Sequence, residues 1–185
     1  ALDTSRFQPW VLQYPSGISL DLVSDYLLNA LNQLHVEYGF PRVNIIAHSM
    51  GGLVVRSFVM KYDLADPDFD ISLVVTINSP LHGLESAAKG VKHSPIVVPA
   101  WVDVAEDSQF VRETSSWNWP EEIPYYLIVS FLPDQPNDGI VSLKSQISLK
   151  LQDEAAGVLV FSGQHAAIMR APEFIRRLHR ILARY

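Results

Sequence analysis

Apolar residues in this chain fall into two patterns, short unbroken runs and longer stretches with helical spacing, and their alternation predicts the fold. Trp10-Val11-Leu12-Gln13-Tyr14 reads as a short buried strand closed by the Pro15-Ser16-Gly17 turn. Leu20, Val23, Leu27, Leu31, Leu34 and Tyr38 then recur at the spacing of one helix face. Ser19 offers that helix an N-cap, Asp21 a carboxylate for its positive end and Gly39 a C-cap, while Pro41 prevents continuation. Val43 to His48 is a second strand, whose continuous apolar run predicts burial on both faces. A helix from Met50 to about Tyr62 follows, with Leu53, Val54, Phe58 and the stem of Lys61 facing inward. Beyond the polar connection from Asp63 to Asp70, Ile71–Ile77, Tyr125–Phe131 and Val158–Phe161 read as further buried strands. Pro172 to Tyr185 is a closing helix with proline in its first turn. The alternating Ile147-Ser148-Leu149-Lys150-Leu151 has the pattern of an extra edge strand.

Strands that are apolar throughout and separated by helices imply an α/β class: a mostly parallel sheet with helices on both faces. One domain spans 1–185, with no internal repeat or low-complexity tract. Between Leu81 and Trp119 the periodicity breaks down. His82-Gly83, Gly90, Pro95, Pro99, Trp101, Trp117 and Trp119 predict short helices and loops there, a small cap or lid insertion at about 81–120. Following the C-terminal end of a strand, it sits where substrates bind in open α/β sheets. Its tryptophans have two readings, aromatic contacts to a substrate or ordinary packing under a long connection.

Composition removes several classes of function. A hydrophobic content of 48% marks a globular chain, and a net charge of −6 gives no positive field to neutralise phosphates, so no nucleic-acid partner is expected. The absence of cysteine excludes disulfides and thiol catalysis. No apolar run approaches the ~20 residues needed to span a bilayer. No signal peptide is recognised; the start at Ala1, without methionine, reads as a processed, trimmed or partial chain. Neither composition nor motif distinguishes a cytoplasmic from an exported protein. No strand is followed by a glycine-rich phosphate loop, which argues against hydride or phosphoryl chemistry, and the spacing of His82, His93 and nearby carboxylates fits no standard metal site, so no metal is expected.

The chemistry concentrates at Ile45-Ile46-Ala47-His48-Ser49-Met50-Gly51-Gly52, where a buried run ends at a serine and helical spacing begins. On a strand–turn–helix corner such a serine adopts a strained backbone and its hydroxyl stands clear of the sheet. Small residues are needed two positions either side; Ala47 and Gly51 occupy those positions, and Gly52 adds room for close helix packing. A serine hydroxyl needs a base within hydrogen-bond reach, and the base needs an orienting acid. The order expected for such an elbow is serine, acid, histidine. Asp134 and Asp138 lie just past the Tyr125–Phe131 strand, and His165 lies just past the last strand, all at the sheet edge that carries Ser49. Asp138 is preferred as the acid because Gly139-Ile140-Val141 resumes an apolar run that can bury it. Asp134, between prolines, reads as a solvated turn residue, and Asp153 and Glu154 are weaker still. His48 reads as structural or as lining the pocket wall, and His82 as lining the pocket under the cap. His35, His93 and His179 read as surface residues.

Ala47-His48-Ser49-Met50-Gly51-Gly52-Leu53-Val54 resembles the nucleophile elbow of α/β-hydrolase lipases, in the branch holding bacterial triacylglycerol lipases and GPI inositol-deacylase-like (PGAP-like) esterases. Asn78-Ser79-Pro80-Leu81-His82-Gly83 is similar to the segment after that family's sixth strand, Asn137-Asp138-Gly139-Ile140-Val141-Ser142 to its acid loop, and His165 with Ile168, Pro172 and Phe174 to its histidine loop. The resemblance covers nearly the whole chain from Trp10. It implies the α/β-hydrolase fold and cofactor-free hydrolysis of carboxylic esters through an acyl-serine, with Ser49, Asp138 and His165 catalytic. The Met50 backbone N–H would be an oxyanion donor, and His48, His82 and Trp101 would contact the substrate. The expected substrate is an ester or lipid, with peripheral lipid contact. Thioesterase or acyltransferase chemistry would use the same residues, and a non-catalytic domain that binds a lipid or protein partner is the reading from another class. Ala47 stands where the family usually has glycine. The family's histidine–glycine segment, which supplies a second oxyanion donor, has no counterpart upstream of Ser49, and Trp10–Tyr14 matches the strand after it. The expectation is therefore that N-terminal strands of the fold are missing from this chain.

Overall fold

A computed structural model describes residues 2–65 and 67–185. Its centre is a four-stranded parallel sheet, in the order β1-β2-β3-β4, formed by β1 (Arg42–His48), β2 (Asp70–Ile77), β3 (Tyr125–Phe131) and β4 (Gly157–Ser162). The register aligns Ile46 with Val75, Val75 with Tyr126, and Tyr126 with Gly157. Parallel neighbours require crossovers, and helices supply them. The crossovers hold α2 (Gly51–Ala65), then α3 (Glu85–His93), α4 (Pro99–Val104) and α5 (Gln109–Ser116), then α6 (Leu143–Gln146) and α7 (Leu149–Glu154), while α1 (Leu20–Tyr38) precedes β1 and α8 (Pro172–Leu182) follows β4.

Strand periodicity divides the core in two. Val74, Tyr125, Leu127 and Val129 pack with α1, α2 and the α4–α5 region, while Leu73, Val75, Ile77, Tyr126 and Ile128 face Phe174, Ile181 and Leu182 of α8. β2 and β3 are thus buried on both faces, as their apolar runs predict. β1 is not, because it lies at the sheet edge beyond the reach of α8: Ile46 is 45% exposed. β4, the opposite edge, leaves Val160 exposed. α2 is buried around its whole girth from Gly52 to Val59, which its helical spacing alone does not disclose.

Two expected strands do not form. Trp10–Tyr14 joins no strand; Leu12 and Tyr14 pack on the core, and the Trp10 ring lies 5.1 Å from that of Phe40. Proline on either side withholds N–H donors there. Ile147–Leu151 instead enters α7, because Ser148 caps the helix by accepting from the Leu151 N–H at 3.3 Å. The closing helix ends at Leu182, short of Tyr185.

α1 begins and ends where its caps predict: Ser19 accepts from the Asp21 N–H, and Gly39 takes the left-handed conformation at φ 63°. Asp103 of α4 also receives the Ser19 hydroxyl and the Leu20 N–H, at 2.8 and 2.7 Å, tying α4 to the start of α1. The segment between β2 and β3 carries α3, α4 and α5. Among the described residues no helix is long and apolar enough to cross a membrane.

Candidate active site

The C-terminal ends of β1, β3 and β4 bring Ser49, Asp138 and His165 together. Ser49 occupies the corner between β1 and α2 at φ 55°, a left-handed conformation disfavoured by a Cβ. Its N–H donates to the Ile77 carbonyl at 2.9 Å, which anchors the corner to β2. The close approach is made by Gly52 rather than Gly51. A Cβ on Gly52 would stand 2.2 Å from the Ser79 Oγ, whereas one on Gly51 would meet only the Ala47 Cβ at 3.6 Å.

From that corner a continuous hydrogen-bonded line runs inward. His165 Nε2 lies 2.8 Å from Ser49 Oγ, and His165 Nδ1 lies 2.7 Å from Asp138 Oδ2. A carboxylate only accepts, so the Nδ1–H faces Asp138 and Nε2 is left to accept the serine proton. Asp138 is buried, and its Oδ1 accepts the N–H groups of Ile140 and Val141 at 2.9 and 2.7 Å. Burial by itself would raise the Asp138 pKa; the bonds from His165, Val141 and Ile140 outweigh it and hold the group below the usual carboxylate range. Gly139, at φ 95°, turns the loop so that those N–H groups converge.

The Met50 N–H stands at the entrance to α2 and meets no acceptor among the described residues. It lies at the positive end of the helix dipole, a place suited to a developing anion.

Of the other expected residues, His48 joins the site while His82 and Trp101 do not. His48 lies beside His165, with ring centroids 4.6 Å apart and Nε2 3.1 Å from the His165 carbonyl. Burial lowers its pKa. His82 is half-buried with an enclosed, unpartnered Nε2, and burial, then the Arg56 charge, lowers its pKa. Trp101, 43% exposed on α4, faces Gly90 of α3. Among the described residues no hydrogen bond or ring contact joins His82 or Trp101 to Ser49. Trp119 is a packing residue: it stacks on Tyr125 at 4.7 Å and donates Nε1–H to the Ile123 carbonyl. His93 and His179 are exposed, but His35 is not a surface residue. Its Nδ1 lies 2.7 Å from the Phe40 carbonyl, and its ring packs on Phe40 and Phe69.

Asp134 is exposed, and Glu154 is committed elsewhere, paired with Arg56 at 2.9 Å and with Lys150. Gln146 is a residue sequence reading missed. Fully buried, it pairs with both backbone groups of Ser130 and donates to the Val141 carbonyl, with Asp138 Oδ2 at 3.4 Å. A glutamine in a short polar stretch carries no periodic signal of burial. No group of His, Cys, Asp and Glu among the described residues is arranged to hold a metal ion.

No curated protein matches the sequence. Among solved structures, the product of gene lin2722 from Listeria innocua is 22% identical with a TM-score of 0.66, over 90% of this chain and 68% of that one. Bacillus licheniformis lipase BlEst2 is 14% identical with a TM-score of 0.71, over 92% of this chain and 77% of that one. Legionella pneumophila phospholipase PlaB is 15% identical with a TM-score of 0.60, over 75% of this chain but only 35% of its own. At these identities the likeness is one of fold. The profile of the family described as "Alpha/beta hydrolase of unknown function (DUF915)" matches residues 17–166, and the chain belongs to that family.

Proposed function

We propose that the chain is a serine hydrolase that cleaves carboxylic esters, with acyl-chain esters as its substrate class. The observation that carries this reading is the line from Ser49 Oγ through both nitrogens of His165 to Asp138, at 2.8 and 2.7 Å. In the reaction, His165 Nε2 takes the Ser49 proton as Oγ attacks the ester carbonyl, and the Met50 N–H holds the oxyanion. Asp138 stabilises the imidazolium and fixes its tautomer. Collapse breaks the ester C–O bond, and His165 returns the proton to the departing alcohol. Water deprotonated by His165 then attacks the acyl-serine, releasing the acid and restoring the serine hydroxyl.

The lipase and esterase names of the fold neighbours support this class, as does the apolar surface of the insertion. Ile96, Val97, Trp101 and Val102 are exposed there, which favours an acyl chain over a charged substrate. A series of p-nitrophenyl esters of increasing acyl length tests the proposal. Ser49→Ala is expected to lower turnover by about 10⁴–10⁶-fold while the fold persists. Ester turnover that survives the substitution contradicts it; preference for thioesters or for an alcohol acceptor over water would move the same residues to thioesterase or acyltransferase chemistry.

A further inference from the structure

The base of this site sits on a loop without regular secondary structure, between the end of β4 at Ser162 and the short 3₁₀ turn Ala167–Arg170. A ring that must meet Ser49 on one side and Asp138 on the other needs its backbone held. The His165 N–H donates to the Asp138 carbonyl at 2.9 Å. Its carbonyl receives two side chains from the ends of neighbouring strands: Asn78 Nδ2, after β2, at 2.7 Å, and His48 Nε2, at the end of β1, at 3.1 Å. Asn78 is fully buried and held at φ 48°, with its own N–H bonded to the Ile128 carbonyl of β3 at 2.8 Å. Asparagine tolerates that conformation better than most residues, and here it also aims the amide. A carbonyl only accepts, so His48 donates from Nε2, and its ring lies against that of His165.

We propose that Asn78 and His48 are positioning residues for the proposed base, a clamp on the His165 carbonyl that fixes where its ring stands between Ser49 and Asp138. The inference rests on the esterase reading for its effect on turnover, but not for its effect on the imidazole. Small displacements of a reacting group cost up to about 10²-fold in rate. In this role His48, expected from the sequence to contact substrate, and Asn78 both bond the His165 carbonyl instead, so the loss falls on kcat and leaves KM nearly unchanged.

The test uses Asn78→Gly, which accepts the left-handed backbone but removes the donor. His48→Phe keeps a ring without a donor, and His48→Gln restores an amide N–H. Turnover of a p-nitrophenyl ester is read beside two-bond ¹H–¹⁵N spectra of His165, which report its tautomer. Asn78→Gly and His48→Phe are each expected to lose about 10–100-fold in kcat. Their His165 should pass from the Nδ1–H tautomer to a mixture, and His48→Gln should stay near wild type in both readings. An unchanged His165 tautomer in folded Asn78→Gly or, should that variant not fold, in His48→Phe overturns the clamp. A wild type without turnover would instead sink the esterase reading, and the spectra would still decide the clamp.

Discussion

Ser49 at φ 55° and Asn78 at φ 48° end adjacent strands in conformations that a β-carbon disfavours, each at a cost of order 1–3 kcal/mol. Their surroundings enforce both: Ser49 N–H is bonded to Ile77, and Asn78 N–H to Ile128. The same logic governs Asp138, whose carboxylate is stabilised by two backbone N–H groups and the imidazole. Asp138→Asn is expected to preserve the fold and lower kcat by about 10⁴-fold, because an amide no longer enforces the Nδ1–H tautomer. Gln146→Leu is a different case. It leaves the buried N–H and C=O of Ser130 without their side-chain partner, so a loss of stability of about 1–3 kcal/mol is expected in denaturant unfolding.

At the level of elements, the β1–α2 corner depends on close approach at a single glycine. Gly52→Ala would drive a methyl into Ser79, a fully buried residue of the β2 loop. A destabilisation of about 1–3 kcal/mol is expected by thermal unfolding, with Gly51→Ala close to wild type. The spacing of Ala47, Ser49 and Gly51 made this corner legible in the sequence, though the residue with least room is the one beside that pattern. The core strands were equally legible, since the buried positions of β2 and β3 are apolar apart from Thr76 and Ser130. What escaped reading depends on neighbours distant in the chain. β1 and β4 share the apolar character of the central strands but end as sheet edges, and nothing local marks an edge. Ile147–Leu151 alternates as a strand does, yet Ser148 turns it into a helix. The positions of Ser49, Asp138 and His165 at one sheet edge followed from each lying just past the end of an apolar run. The grip of Gln146, Asn78 and His48 on that edge did not, because hydrogen-bond partners leave no period.

Across the whole molecule, a buried ion pair between α2 and α7 also holds the segment between β2 and β3. Arg56 of α2 is wholly buried, donates to the Thr114 and Trp117 carbonyls at the end of α5, and pairs with Glu154 of α7. Burial would raise the Glu154 pKa, but bonds to Arg56 and Lys150 outweigh it and lower the value. Stabilisation from this pair is therefore complete above the ordinary glutamate range and is lost as the pH falls through the lowered value. Glu154→Gln imposes the acid condition at neutral pH, leaving Arg56 buried without its counter-charge. A loss of about 3–5 kcal/mol is expected, and the gap in Tm between variant and wild type should close as the pH is lowered. A gap that stays constant down to acid pH would contradict this account.

The central claim is that Ser49 is activated by His165 within the assembled line, and intact-mass measurement after fluorophosphonate treatment tests it most directly. Wild type is expected to gain one phosphonyl group on Ser49, with none on Ser49→Ala and far slower addition on His165→Ala. A folded wild type that remains unlabelled, or equal labelling of Ser49→Ala, would contradict it.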